Sequence, residues 1–85
     1  MNQERKERLS WIIDCLDNDL DNLQALQEGE QLAYNNLPED LQQSFAGQAM
    51  AEAAEDLWEL YREGVDYLNK LKNFKEHEQN AVSKQ

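Results

Sequence analysis

The apolar residues in the first third of the chain keep a helical beat. Leu9, Ile13, Leu16, Leu20 and Leu23 follow one another at steps of four, three, four and three. Residues three and four apart share a face of an α-helix, so these five lie along one stripe. The beat continues through Gln27, Glu30, Tyr34 and Leu37, and Ile12, Leu26 and Ala33 widen the stripe. A single helix of this kind is stable only when its apolar stripe is buried against another element. The second half supplies that element. From about Ala46 to Phe74 the chain is rich in strong helix formers and has no Pro. It carries two overlapping seams. One runs through Met50, Ala53, Leu57, Leu60, Gly64, Tyr67, Leu71 and Phe74. The other runs through Met50, Ala54, Leu57, Tyr61, Gly64, Leu68 and Leu71.

Between the halves stands "NNLPED". Pro disfavours helical geometry in the residue before it and suits a first helical turn, so Pro38 ends one helix and starts the next element. Asn35 and Asn36 fit a helix terminus, and Glu39 and Asp40 put negative charge beside a new N-terminus. "PEDLQQS" has room for a short helical turn of its own. Ser44 is placed to cap the following helix, although Gly47 stands where a capping box has Glu or Gln. The expected fold is therefore all-α: an antiparallel two-helix hairpin over residues 1–74. "KEHEQNAVSKQ", residues 75–85, loses the rhythm and is expected to be a flexible tail. Folding back sets Gly29 near Ala46, Gly47 and Ala49, and Leu16 and Leu20 near Leu57 and Leu60. Tyr34, Leu37, Leu41 and Phe45 are expected to cluster and pin the bend.

Helix two is apolar over a wider face than one neighbour covers. Trp11, Trp58, Tyr61, Val65 and Leu68 are the expected apolar interface. A domain of 85 residues is small for a self-sufficient core. Assembly into a homo-oligomeric helical bundle is the simplest remedy.

Charge divides the molecule further. The formal net charge is −10, and Leu9 to Tyr61 contains no Lys or Arg. The basic residues gather toward the ends, which a hairpin brings together, so the bend half is acidic. Such a field repels nucleic acid and acidic membranes and attracts a protein with a basic surface. Asp14, Asp17, Asp21, Glu52, Glu55 and Glu59 are the candidate partner-binding residues. The single Cys, the charged start and the lack of an apolar run of about 20 residues make a cytoplasmic setting the expectation.

Catalytic and metal chemistry find little support. Asp17, Asp19, Asp21 and Glu28 approach the ligand spacing of an EF-hand loop, but Asn22 stands where the sharp turn needs Gly. The leucine beat also runs straight through the segment, so the acids belong to a helix face. Glu52 with Glu55, and Glu63 with Asp66, have the spacing that all-α nucleotide pyrophosphohydrolases use for magnesium. In that family the pairs sit on separate helices and farther apart than here. Charged residues at this interval are ordinary on the outer side of an amphipathic helix. His77 lies in the expected tail, and Cys15 lies between an acid and a leucine rather than in the electropositive setting of a reactive thiolate. No enzyme activity, cofactor or metal is expected. One small-molecule alternative remains: Arg5, Arg8, Arg62 and Lys70 at the open end could hold a phosphorylated nucleotide.

The run Glu30-Gln31, Ala33, Tyr34, Asn36-Leu37-Pro38-Glu39, Leu41-Gln42 and Ser44 resembles small acidic helical phage and prophage proteins with an "EEQ-x-A-x-x-NLPE-x-LQ-S" signature. The likeness covers roughly the middle third. Gly29 departs from the family's more acidic pattern. The resemblance implies a helical bend rather than an activity. It also implies a phage-type interaction protein that binds and inhibits or modulates a host or phage protein. Anti-defence action or DNA mimicry in the host cytoplasm would be such a role. Alternatives are an oligomeric sponge for a signalling nucleotide and a purely structural helical oligomer.

Overall fold

The computed structural model describes residues 1–83. It contains α1 (Gln3–Asn35), α2 (Glu39–Gln42) and α3 (Phe45–Ser83), with no strand among the described residues. The two long helices pack antiparallel into an all-α hairpin, a rod 65 Å long and 15 by 14 Å across.

Side chains cap the starts of the two long helices. The Asn2 carboxamide oxygen accepts from the Arg5 backbone N–H at 2.9 Å, capping α1. At its other end the last carbonyls need partners. Gln42 provides them, its Nε2 donating to the Tyr34 carbonyl at 3.1 Å and the Asn35 carbonyl at 3.5 Å. Pro38 is extended, with φ −56° and ψ 150°, and opens α2. Ser44 caps α3: its Oγ accepts from the Gly47 N–H at 3.1 Å. Gly47 is buried because α2 lies directly over it. A Cβ there would collide with the Leu41 carbonyl oxygen and come within 2.6 Å of the Gln42 carbonyl oxygen. That contact explains why the third helical position is Gly and not the Glu or Gln of a capping box.

Of the two seams on α3, the structure uses the second. Ala54 and Leu68 are buried, and Tyr61, Val65 and Leu71 pack beside them. On α1 the buried partners are Ile13 and Leu20, flanked by Leu9, Leu16 and Leu23. Leu60, Tyr67 and Phe74, members of the first seam, are exposed. Leu20 packs on Gly64, whose missing side chain makes room for a leucine methyl. Gln27, a polar member of the α1 stripe, donates to the Ala54 carbonyl at 3.3 Å, so its place in the seam costs no unpaired group.

Three expectations are corrected. Helix pairing is shifted by about one heptad, with Leu20 at Gly64 rather than Leu57, because Pro38 to Ser44 forms a separate turn between the long helices. Gly29 consequently has nothing within 4 Å of its Cβ position. Replacing it with Ala removes backbone entropy from mid-helix without a clash. Gly29→Ala is expected to stabilise the fold by about 0.5–1 kcal/mol, read from urea unfolding. Second, Tyr34 and Leu37 are half-buried at the bend, but Leu41 is exposed and Phe45 is 90% exposed. Phe45 opens α3 on its solvent side and pins nothing. Third, the helix does not end near Phe74. It runs to Ser83, with half-buried Lys75 and Glu78 at the next two seam positions. The N-terminal ammonium meets Glu78 Oε2 at 3.2 Å. Lys, Glu, Gln and Ala sustain a helix without apolar rhythm when long stems cover the end of the seam. Lys84 and Gln85, the end of the expected tail, lie outside the described residues.

Candidate functional site

A hairpin has two long edges where the helices meet solvent side by side. They differ chemically. On one edge a groove is lined by Trp11, Ile12, Cys15, Asp19 and Tyr67, with Leu16 and Leu71 at its floor. Seven-residue steps, two helical turns each, extend it. They lead from Asp19 to Leu26 on α1, and from Tyr67 to Leu60 and Phe74 on α3. Leu60 and Tyr67 are 56% and 58% exposed. This edge is mostly apolar and mixes both signs of charge, and is labelled the neutral edge.

The opposite edge is acidic. Asp14 and Asp17 of α1 share a groove there with Lys72, Lys75 and Glu76 of α3. The same steps add Asp21 and Glu28 on α1 and Glu55 on α3. All the carboxylates on this edge are exposed. Trp58 and Val65 stand in the row that leads to Lys72. Trp58 is 43% exposed and stacks on Tyr61 with ring centroids 5.8 Å apart and an interplanar angle of 25°. The stack holds the indole in place while leaving it partly exposed, with Glu55 three residues before it and Arg62 four after it on the same helix.

The residues singled out from sequence are therefore distributed. Asp14, Asp17, Asp21, Glu55 and Trp58 fall along one edge without forming one cluster: Asp14 and Asp17 share a groove with Lys72 and Lys75, which are 14 and 17 residues along α3 from Trp58. Glu52 and Glu59 lie on the outer side of α3, and Glu59 borders a shallow groove with Arg62, Glu63 and Asp66. Of the expected apolar interface, Leu68 is in the hairpin core, with Tyr61 and Val65 against it. Trp11 borders the neutral edge and is 67% exposed. The four cations considered for a nucleotide also divide. Arg5 and Arg8 are one heptad before Ile12 and Cys15, on the neutral edge, and Lys70 is beside Tyr67. Arg62 sits among three acids, a setting that attracts a cation rather than a phosphate.

The heptad rhythm locates the core but leaves both edges open until the seam on α3 is known. What sequence reasoning missed was the exposure of Leu41 and Phe45 at the bend and of Leu32 before it. Among the described residues no group of three His, Cys, Asp or Glu is placed to hold a metal ion. No helix among them is long and apolar enough to cross a membrane. No family model matches the chain, and no curated protein or solved structure matches it.

Proposed function

We propose that the protein is a non-catalytic interaction module whose acidic edge binds a basic surface on another protein and modulates or blocks it. The observation that carries this reading is the acidic edge itself: exposed carboxylates from both helices along one side of the rod, with a partly exposed, stacked Trp58 on the same side. Aromatic anchors ringed by polar residues are the usual energetic centres of interfaces. Charge on both sides of such an interface gives fast, salt-dependent association. The resemblance to phage proteins suggests a host or phage partner in the host cytoplasm. It also makes a DNA-binding surface, already shaped to grip phosphate, an apt target. Neither nucleic acid nor an acidic membrane suits this edge.

The test is capture from a host lysate on immobilised protein, followed by purification of the captured protein and direct titration. Two columns are compared, wild type and a variant with D14N, D17N, D21N and E55Q. The account expects binding that falls steeply between low and high salt and is lost in the variant. A partner that binds the variant equally well would refute the charge-based reading. In the same titration Trp58→Ala is expected to weaken binding by about tenfold or more, the loss typical of a central aromatic anchor. An unchanged affinity would remove Trp58 from the interface.

A further inference from the structure

We infer that the occupant of the acidic edge is an amphipathic α-helix of another protein, basic along one flank and apolar along the next. This rests on the reading of that edge as a protein-binding surface and names what it binds. The two walls of the edge differ. The α1 wall consists of two rows that step by seven. The outer row is Glu7, Asp14, Asp21 and Glu28, all exposed. The row nearer α3 carries Asp17 between half-buried Ser10 and Gln24. Every charge in these two rows is negative. The α3 wall is the row Ala51, Trp58, Val65 and Lys72. From Ala51 to Val65 this row is apolar: Ala51 and Val65 are half-buried, and Trp58 is 43% exposed. One wall is therefore acidic and the other apolar over the same stretch.

Cations of the same chain do not cancel the acidic wall. Lys72 and Lys75 reach the groove at its open end, beside Asp14, Asp17 and Glu76. The bendward stretch is set by the alignment of the helices, with Leu20 on Gly64 and Gln27 at Ala54. On that alignment Trp58 is level with Gln24, between Asp21 and Glu28 along the rod. Glu28 is level with the Glu55 turn, so carboxylates border the edge on both helices there. Arg62 is level with Asp21 on the far border, but it shares a shallow groove with Glu59, Glu63 and Asp66. Among the described residues none of Asp21, Glu28 and Glu55 has an ion pair. These are the charges left for a partner to answer, and they call for Lys or Arg.

A helix reaches both walls at once. Its side chains radiate around the axis, so adjacent stripes of one helix can be basic toward α1 and apolar toward α3. A strand sends successive side chains to opposite faces, so only one of its stripes enters the groove. A flat basic surface meets the outer carboxylates and leaves the half-buried apolar row uncovered. Ala51 and Val65 are 14 residues apart, which at about 1.5 Å per residue makes a docking track of roughly 21 Å, or about four helical turns. A helix laid along it completes a three-helix bundle, at the usual spacing of about 8–10 Å between axes. Trp58 is its apolar anchor, and Asp21 and Glu28 set the register of its basic flank.

The test uses two synthetic peptides of about 20 residues, built from the same Ala, Gln, Leu and Arg composition. In the first, Leu recurs at helical spacing and Arg lines the adjacent flank. In the second the order is scrambled so that no stripe forms. Each is titrated into the full chain by calorimetry at low and high salt, and circular dichroism reads the helicity gained on mixing. The ordered peptide is expected to bind about tenfold tighter than the scrambled one or better, to gain helicity, and to weaken with salt. Trp58→Ala and D21N/E28Q are each expected to weaken it by about tenfold. Leu60→Ala, on the opposite edge, is expected to leave it unchanged. Equal affinity for the two peptides would overturn the helical occupant while leaving the edge as a site for basic proteins in general. An ordered peptide that does not bind would overturn it too, as would binding that ignores Trp58→Ala and D21N/E28Q. The acidic edge itself stands or falls separately, on whether a captured partner responds to neutralising its carboxylates.

Discussion

Leu68→Ala is expected to lower the stability of the fold by about 2–5 kcal/mol, the range for deleting a buried leucine side chain without collapse of the site. Few residues share the load: Ile13, Leu20, Ala54 and Leu68 are the buried apolar residues of the core. Small domains have little stability to lose. Much of the variant should therefore be unfolded at room temperature in conditions where the chain is monomeric, as seen by circular dichroism and urea titration. Leu60→Ala is the matching control. Leu60 belongs to the other seam and is exposed, so in a monomeric background its truncation is expected to change stability by about 0.5 kcal/mol or less. Equal losses for the two substitutions would mean that α3 does not present the seam described here.

The second large effect is expected at the bend. Gly47→Val is expected to destabilise by about 1–3 kcal/mol or more, because the added carbons run into backbone that cannot turn aside as a side chain can. The atoms in the way are the carbonyl oxygens of Leu41 and Gln42. Gln42 also carries the amide that satisfies the carbonyls ending α1. Displacing α2 therefore removes side-chain bonds to the end of α1 as well, although the Leu37 N–H still donates to the Tyr34 carbonyl. Gly47→Ala separates the contributions. Ala is the better helix former by about 1 kcal/mol, so the clash exceeds any net loss for Ala by about that amount. Set beside Gly29→Ala, a net gain in open space, the pair tests both glycine assignments in one unfolding series.

Much of the fold was legible in the sequence, because the signals were local or periodic. The α1 stripe from Leu9 to Leu37 is observed as the buried or half-buried side of that helix, polar members included. Pro38 and Ser44 act where their chemistry places them. The choice between seams on α3 was not legible, because Leu57, Gly64 and Leu71 belong to both. It is decided by residues that belong to one seam only and that pairing buries: Ala54, whose carbonyl takes the Gln27 amide, and Leu68. The short turn at "PEDLQQS" was anticipated, but the shift of one heptad that it imposes on the pairing was not, since a four-residue helix has no periodicity to set the register. The end of α3 was misplaced because polar Lys75 and Glu78 continue the seam without apolar rhythm.

The candidate site follows the same division. The acids of α1 were identifiable from sequence as one exposed face, and Asp14, Asp17 and Asp21 do share one edge. Which α3 residues join them depends on the seam. Glu55 and Trp58 fall on the acidic edge. Glu52 and Glu59 fall outside it, and Leu68 falls into the core. A rotation of α3 by one residue position about its axis would exchange these roles, moving Leu60 and Tyr67 inward and removing the apolar rows of the neutral edge.

The orientation of α3 about its own axis is thus the point from which both edges follow, and methyl-resolved nuclear Overhauser spectra test it most directly. The account predicts cross-peaks from the methyl groups of Ile13 and Leu20 to those of Leu68, and a contact from Leu20 to the α-protons of Gly64. Cross-peaks from Ile13 and Leu20 to Leu60 and Phe74, with Leu68 silent, would contradict the seam and with it both edges.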